Sequence, residues 1–498
     1  MHISHYRNFL LILAFSLLGF FVMGYHPGIE DDGVYLTSVK ADLNPALYPH
    51  DADFFKLQMR TTVFDTWMAR FVRWTGIPLA WSELLGQSIS ILVVVWACWS
   101  IVRQLFQEAA ARWAGVAMVA AMFTLPVAGT ALYIMDQHLH PRNPATALIL
   151  VAVSRILAGK RWQAAPLLGL AFVLHPMMGA LGISFCCFLA LTLSEPLCLW
   201  IGALRARLHP RRAAPVAAIV PFAWVFGPPS KPWLEALHSR HWFRLYEWEW
   251  YEWLGAIAPL VLFWVVARIA AKHGEVKLAR FATAIVLYGV FQQSVAMVIL
   301  GPQALIGLSA LEPMRYLHLV YVFMALIGGA YLGRYVLKAR LWRWAIFLIV
   351  ADGSMFLAQR QLFASTAHLE LPSAASANPW LQAFDWIRRN TPEDAYFALD
   401  PMYMAAPGED YHSFRALAER SQLADGIKDT SVVTKVPELG PVWKLQLQAQ
   451  QGWSSFQLAD FERLKAGFGV DWVLVAYPAP EGLDCRWHNS SLAVCRIP

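Results

Sequence analysis

The chain has 498 residues, of which 58% are hydrophobic and 15% charged, with a formal net charge of +6. Soluble proteins carry about 25% charged residues, so this composition excludes a chain solvated over most of its length. The positive balance sits mainly in short loops between apolar runs, which points to membrane topology and away from a nucleic-acid partner.

A helix needs about 20 apolar residues to cross the hydrocarbon layer. On that measure spans are predicted near residues 8–25, 82–105, 113–134, 144–159, 163–174, 177–201, 213–227, 254–271, 281–300, 315–337 and 341–358. The fold class expected is a polytopic α-helical membrane protein of about eleven spans, followed by an α/β domain. No small-x-small cleavage site follows the first apolar run, so that run is expected to stay as a helix. Arg7 precedes it, and every second loop is then short and basic. Examples are Arg103 and Arg112, then Arg155, Lys160 and Arg161, then Arg205, Arg207, Arg211 and Arg212. The positive-inside pattern puts the N-terminus in the cytoplasm, and an odd number of spans puts the C-terminal part outside.

The transmembrane region is expected over 1–370, with a long outer loop at 26–81. In that loop Val63, Phe64, Trp67, Phe71 and Trp74 fall near helical spacing, predicting an amphipathic surface helix over Thr61–Thr75. A Ser/Ala/Pro linker at 371–377 leads to the outer domain at 378–498. Asn378 and Pro379 suit the N-cap and first turn of a helix whose face carries Trp380, Phe384 and Ile387. A buried strand is predicted at Ala395–Leu399, a helix at Phe456–Lys465 and a further strand at Asp471–Tyr477. Cys485 and Cys495 flank a turn and suit a disulfide if this domain faces an oxidising compartment.

Polar groups collect in the outer loops. The first holds Glu30-Asp31-Asp32-Gly33, the second Asp136, His138, His140 and Arg142, and the third the break at His175-Pro176. The later ones hold His238, Arg240 and His241, then Glu312 and Arg315. Each has a plain structural reading as well: acids that end a span, a His-Pro kink, arginines that snorkel to the interface. Asp136, His138 and His140 are candidate ligands for a divalent metal ion. The aromatic run Trp242–Trp253 suits an interfacial belt, or a stacking wall for a sugar ring or lipid headgroup.

An acidic pair directly after the first span, surface helices in a long outer loop, multiple spans and an external α/β tail together resemble the GT-C superfamily of integral-membrane glycosyltransferases. The stretch Trp386-Ile387-Arg388-Arg389-Asn390-Thr391-Pro392 is similar to the opening of such tails in uncharacterised bacterial members. The resemblance implies sugar transfer from a polyprenyl-phosphate carrier to a glycan or lipid acceptor, at the outer face of a bacterial cytoplasmic membrane. It implies Asp31 as catalytic base, with Asp32 in place of the family's Glu; Glu30-Asp31 is itself an acidic pair and offers a second register. Arg142, His175, Arg240 and Arg315 are then candidates for holding the lipid phosphate. No Trp-Trp-Asp signature of oligosaccharyltransferases is present. A lipid or glycan flippase, and a non-catalytic scaffold for envelope assembly, are the competing readings.

Overall fold

The computed structural model describes residues 2–194 and 229–498. The predicted span at 213–227, the end of the one at 177–201, and the basic residues Arg205, Arg207, Arg211 and Arg212 lie outside the described residues.

Among the described residues six helices are long and apolar enough to cross a membrane: His5–Met23, Leu79–Leu105, Trp250–Lys272, Val276–Leu300, Leu305–Leu337 and Leu341–Leu362. The shorter apolar helices Ala109–Ala121 and Pro176–Thr192, and the helices Arg142–Leu157 and Arg161–Leu174, pack among them. The span predicted at 113–134 is corrected. Its helix ends at Ala121, and the chain turns into a hairpin of β1 (Pro126–Val127) and β2 (Leu132–Tyr133). The composition there is apolar throughout, but Pro126 has no amide hydrogen to donate and disfavours helix in the residue before it. The helix Leu317–Leu332 is buried on nearly all sides and packs tightly on Ala109–Ala121. Just beyond it, a Cβ on Gly333 would lie 2.3 Å from the carbonyl oxygen of Ala110. Only glycine permits that approach, the usual way for helices to pack closely in lipid.

Above this bundle lies a second layer, made by two segments far apart in sequence. The first loop contributes helices Tyr35–Leu43, Asp53–Met59 and Phe64–Thr75. The amphipathic helix is present, but its inward face is Phe64, Asp65 and Ala69, while Trp67 and Trp74 point outward. The chain beyond the linker contributes helices Lys428–Lys435 and Gly440–Ala449. One hydrophobic cluster joins both segments: Tyr48 and Phe55 from the loop pack in it with Trp233, Val433 and Trp443.

The remainder of the C-terminal region forms a five-stranded mixed sheet in the order β4-β3-β5-β7-β6. The strands are β3 (Tyr396–Ala398), β4 (Ser421–Gln422), β5 (Trp472–Ala476), β6 (Asp484–His488) and β7 (Leu492–Arg496). Strands β4, β3 and β5 run parallel, and β5, β7 and β6 antiparallel. The helix Pro379–Asn390 starts where the Asn378 side chain accepts the amide hydrogens of Trp380 and Leu381, and it buries Ala383, Phe384 and Ile387. The predicted second helix runs from Leu458 to Phe468. Cys485 and Cys495 face each other across β6 and β7 and are disulfide-bonded.

Candidate functional site

The chain leaves the first helix at Met23 and turns through a short 3-10 segment, Glu30–Gly33. The C-terminal region pins this acidic turn. The Glu30 amide donates to the Tyr411 carbonyl at 2.9 Å, and the Ser413 amide donates to the Gly28 carbonyl at 2.7 Å. A Cβ on Gly33 would meet Ser413 Oγ at 2.8 Å, so glycine allows the two segments to touch.

The two adjacent aspartates point in different directions. Asp31 is partly exposed and lines a cavity of about 630 Å³. Its Oδ1 lies 2.5 Å from Lys428 Nζ, and its Oδ2 lies 3.2 Å from His140 Nε2. The Arg142 amide donates to His140 Nδ1 at 3.0 Å, so the ring proton sits on Nε2 and is donated to Asp31. Burial, reinforced by the charge of Arg142, pushes His140 down to about 4, which keeps it neutral. Burial alone would raise the Asp31 carboxyl; Lys428 and the His140 bond outweigh it and hold the group well below the usual carboxylate range. Asp31 is therefore an ionised, oriented carboxylate.

Asp32 is 1% exposed and does not line the cavity. Its Oδ2 accepts the Gly28 amide hydrogen at 2.7 Å, and its Oδ1 lies 3.9 Å from His138 Nε2. Burial pushes it up to about 7. Its place is in the framework of the turn, which corrects the expectation that it shares the site with Asp31.

Arg142 is also corrected. It is 3% exposed, and its guanidinium forks onto Asp136, with Nε 3.0 Å from Oδ2 and Nη2 on Oδ1. This fork outweighs the burial of Asp136 and brings its carboxyl down to about 2. The pair braces the loop from inside, and Arg142 does not line the cavity. His175 is buried as the N-cap of Pro176–Thr192, where its Nδ1 accepts the Met178 amide hydrogen. Asp136, His138 and His140 do not converge as ligands, because Asp136 is held by Arg142 and His140 by Asp31. Among the described residues no group of three or more His, Cys, Asp or Glu side chains is placed to hold a metal ion.

Arg240 and Arg315 do line the cavity, and two cations unsuspected from sequence join them: Lys428 and Lys435. The lysines are seven residues apart, two turns of one helix, and so share a face. In sequence they look like an ordinary solvated face. Arg315 Nη2 lies 2.8 Å from Glu312 Oε1, and Lys435 Nζ lies 4.0 Å from Glu312 Oε2. Arg240 sits over the Trp242 ring at 5.5 Å and donates to the Ile427 carbonyl. Trp242, Phe243, Tyr251 and Tyr133 supply aromatic walls, and the β1–β2 hairpin closes one side. The cavity thus holds the ionised, oriented carboxylate of Asp31, further acids, a set of cations and flat apolar surfaces, a combination suited to a ligand with an anionic group and a ring or apolar portion. Set against known proteins, the chain matches no family model, and no curated protein is similar to it.

Proposed function

We propose that this protein is a membrane glycosyltransferase of the GT-C type, which moves a sugar from a polyprenyl-phosphate carrier to an acceptor hydroxyl with Asp31 as general base. The observation that carries the reading is Asp31 itself: a carboxylate oriented by His140, lining a cavity whose other walls supply Arg240, Arg315, Lys428 and Lys435. In this reading the acceptor oxygen attacks the anomeric carbon and gives its proton to Asp31. The bond from that carbon to the phosphate oxygen breaks, and its electron pair leaves with the phosphate, whose charge the cations stabilise. The aromatic walls take the sugar or the first isoprene units. The finer topology belongs to the same proposal: about eleven spans, N-terminus in the cytoplasm, and the cavity on the outer face of a bacterial cytoplasmic membrane.

The test is transfer from a panel of radiolabelled polyprenyl-phosphate sugars by purified protein in nanodiscs. Asp31→Asn preserves size and removes the base, so turnover should fall by about 10²–10⁴. Asp32→Asn should cost much less, because an amide oxygen still accepts the Gly28 hydrogen. Equal rates for parent and Asp31→Asn would end the general-base assignment. A parent inert across the donor panel would favour a flippase or an assembly scaffold.

A further inference from the structure

The cavity is balanced in charge as it stands. Among the described residues its cations Arg240, Arg315, Lys428 and Lys435 face the acids Glu30, Asp31, Glu252 and Glu312. Arg315, Lys428 and Lys435 stand at carboxylates, so an anion that engages any of these three competes with Glu312 or Asp31. The pairs differ in how readily they yield. Arg315 and Glu312 are both nearly buried, at 10% and 5% side-chain exposure, and breaking a buried pair strands a charge. Lys428 holds Asp31 by a single ammonium on a flexible stem, and Asp31 is 31% exposed. Asp31 also retains its second hydrogen bond, from His140, when the lysine leaves. The Lys428–Asp31 pair is part-buried, at 11% and 31% side-chain exposure, but its acid is open to the cavity, and an ammonium binds a phosphate through charge-assisted hydrogen bonds. Further donors wait nearby: among the described residues neither Arg240 Nε nor Arg315 Nε has a hydrogen-bond partner, although both are buried.

We infer that Lys428 restrains Asp31 in a resting ion pair and exchanges it for the phosphate group of the ligand, so that the C-terminal region releases the base only when the anion is in place. The inference rests on the transferase reading of this cavity and adds a positioning residue to it, one 397 residues from its partner in sequence. The helix is built for the task. Lys428 stands at its first turn, Arg240 holds the Ile427 carbonyl just before it, and Lys435 lies two turns on, beside Glu312.

The experiment is binding of farnesyl phosphate, farnesol and inorganic phosphate to the full chain in nanodiscs. Lys428→Met should weaken farnesyl phosphate binding about 10- to 100-fold, the loss of one charge-assisted hydrogen bond, and Lys428→Arg should restore much of it. Asp31→Asn frees Lys428 and should tighten binding several-fold. Glu30→Gln alters a neighbouring cavity carboxyl that feels the charge of Lys428 without holding its ammonium, and should tighten it less. The gain from Asp31→Asn should vanish in the double variant with Lys428→Met, a coupling that a purely structural lysine would not show. Thermal unfolding of each variant checks that the fold is intact. The exchange is overturned if Lys428→Met binds like the parent, or if the Asp31→Asn gain survives without Lys428. If inorganic phosphate binds as tightly as farnesyl phosphate with the same lysine dependence, the exchange stands and the lipid-donor reading falls. If the parent binds neither anion, both fall.

Discussion

Arg415 has the largest side chain among those fully buried in the described residues, and carboxylates close around it. Its Nε lies 2.5 Å from Asp51 Oδ2, and its Nη1 and Nη2 lie 2.7 and 2.9 Å from the two oxygens of Asp429. Its guanidinium also sits over the Phe54 ring at 5.5 Å. Asp51 and Phe54 come from the first loop, and Arg415 and Asp429 from beyond the linker, so this one side chain rivets the two segments together. Desolvation offsets much of the attraction in a buried ion pair, but removing one partner leaves an uncompensated charge. Arg415→Leu strands Asp51 and Asp429 and should destabilise the protein by about 3–5 kcal/mol. Denaturant unfolding in detergent, followed by tryptophan fluorescence, measures this. A loss under 1 kcal/mol would mean that water reaches the carboxylates.

At the scale of elements, three segments meet at Glu370. Its Oε1 lies 2.7 Å from His26 Nδ1, at the end of the first helix, and its Oε2 lies 3.1 Å from His412 Nε2. His412 Nδ1 lies 2.9 Å from the Glu409 carbonyl oxygen, so both its ring nitrogens must donate and the ring is an imidazolium. Burial would lower His412, but the charge and hydrogen bonds of Glu370 outweigh it and raise the imidazole above its ordinary 6.5. Burial would raise Glu370, but His412 and His26 outweigh it and bring the carboxyl from 4.5 to about 2. The stabilisation from the lowered Glu370 is present above 4.5 and is lost as pH falls toward 2. That from the raised His412 is complete below 6.5 and is lost as pH rises through the higher folded value. The Glu370 and His412 contributions are therefore both complete between pH 4.5 and 6.5, while burial lowers His26, whose contribution declines as pH falls below 6.5. Within that window Glu370→Gln should cost about 1.5–3 kcal/mol, the worth of hydrogen bonds to a charged group. The difference between parent and variant should shrink on either side. A difference in unfolding midpoint that does not change with pH would show that the clasp carries no charge.

At the scale of the whole molecule, the C-terminal region is not a detachable cap. Val432, Val433, Val436 and Trp443 share a hydrophobic cluster with Tyr48, Phe55 and Trp233, and Lys428 completes the Asp31 cavity. Truncation after Ala377 would expose that cluster and leave Asp51 without Arg415. The truncated protein should aggregate or be degraded, which size-exclusion chromatography in detergent detects; a monodisperse product would contradict this packing. The proposed orientation has its own check. A reporter active only outside the cytoplasm should give signal when fused after Pro498 and none when inserted after Arg161. The opposite result would move the Asp31 cavity to the cytoplasmic face and remove the lipid-linked donor from its reach.

Local chemistry was legible in the sequence. Apolar runs marked the long helices, because a continuous apolar run of about 20 residues in lipid satisfies its backbone within itself as a helix. Asn378-Pro379 marked a helix start, and Arg240 and Arg315 stood out as guanidinium groups in loops between apolar runs, suited to a phosphate. Even there, Pro126 outweighed the apolar composition around it and cut a predicted span short. The tertiary structure decided what depends on long-range partners. Arg142 and Arg315 look alike in sequence, yet one is locked on Asp136 and the other lines the cavity. Asp31 and Asp32 are adjacent, yet a turn of the chain sends one to the cavity and buries the other. Lys428 and Lys435 carried no signal, because a lysine on a helix face looks the same whether it meets water or a carboxylate from a distant loop. The hydrophobic effect that brings those segments together is non-directional, so a local pattern shows that a face will be buried but leaves its partner to the fold.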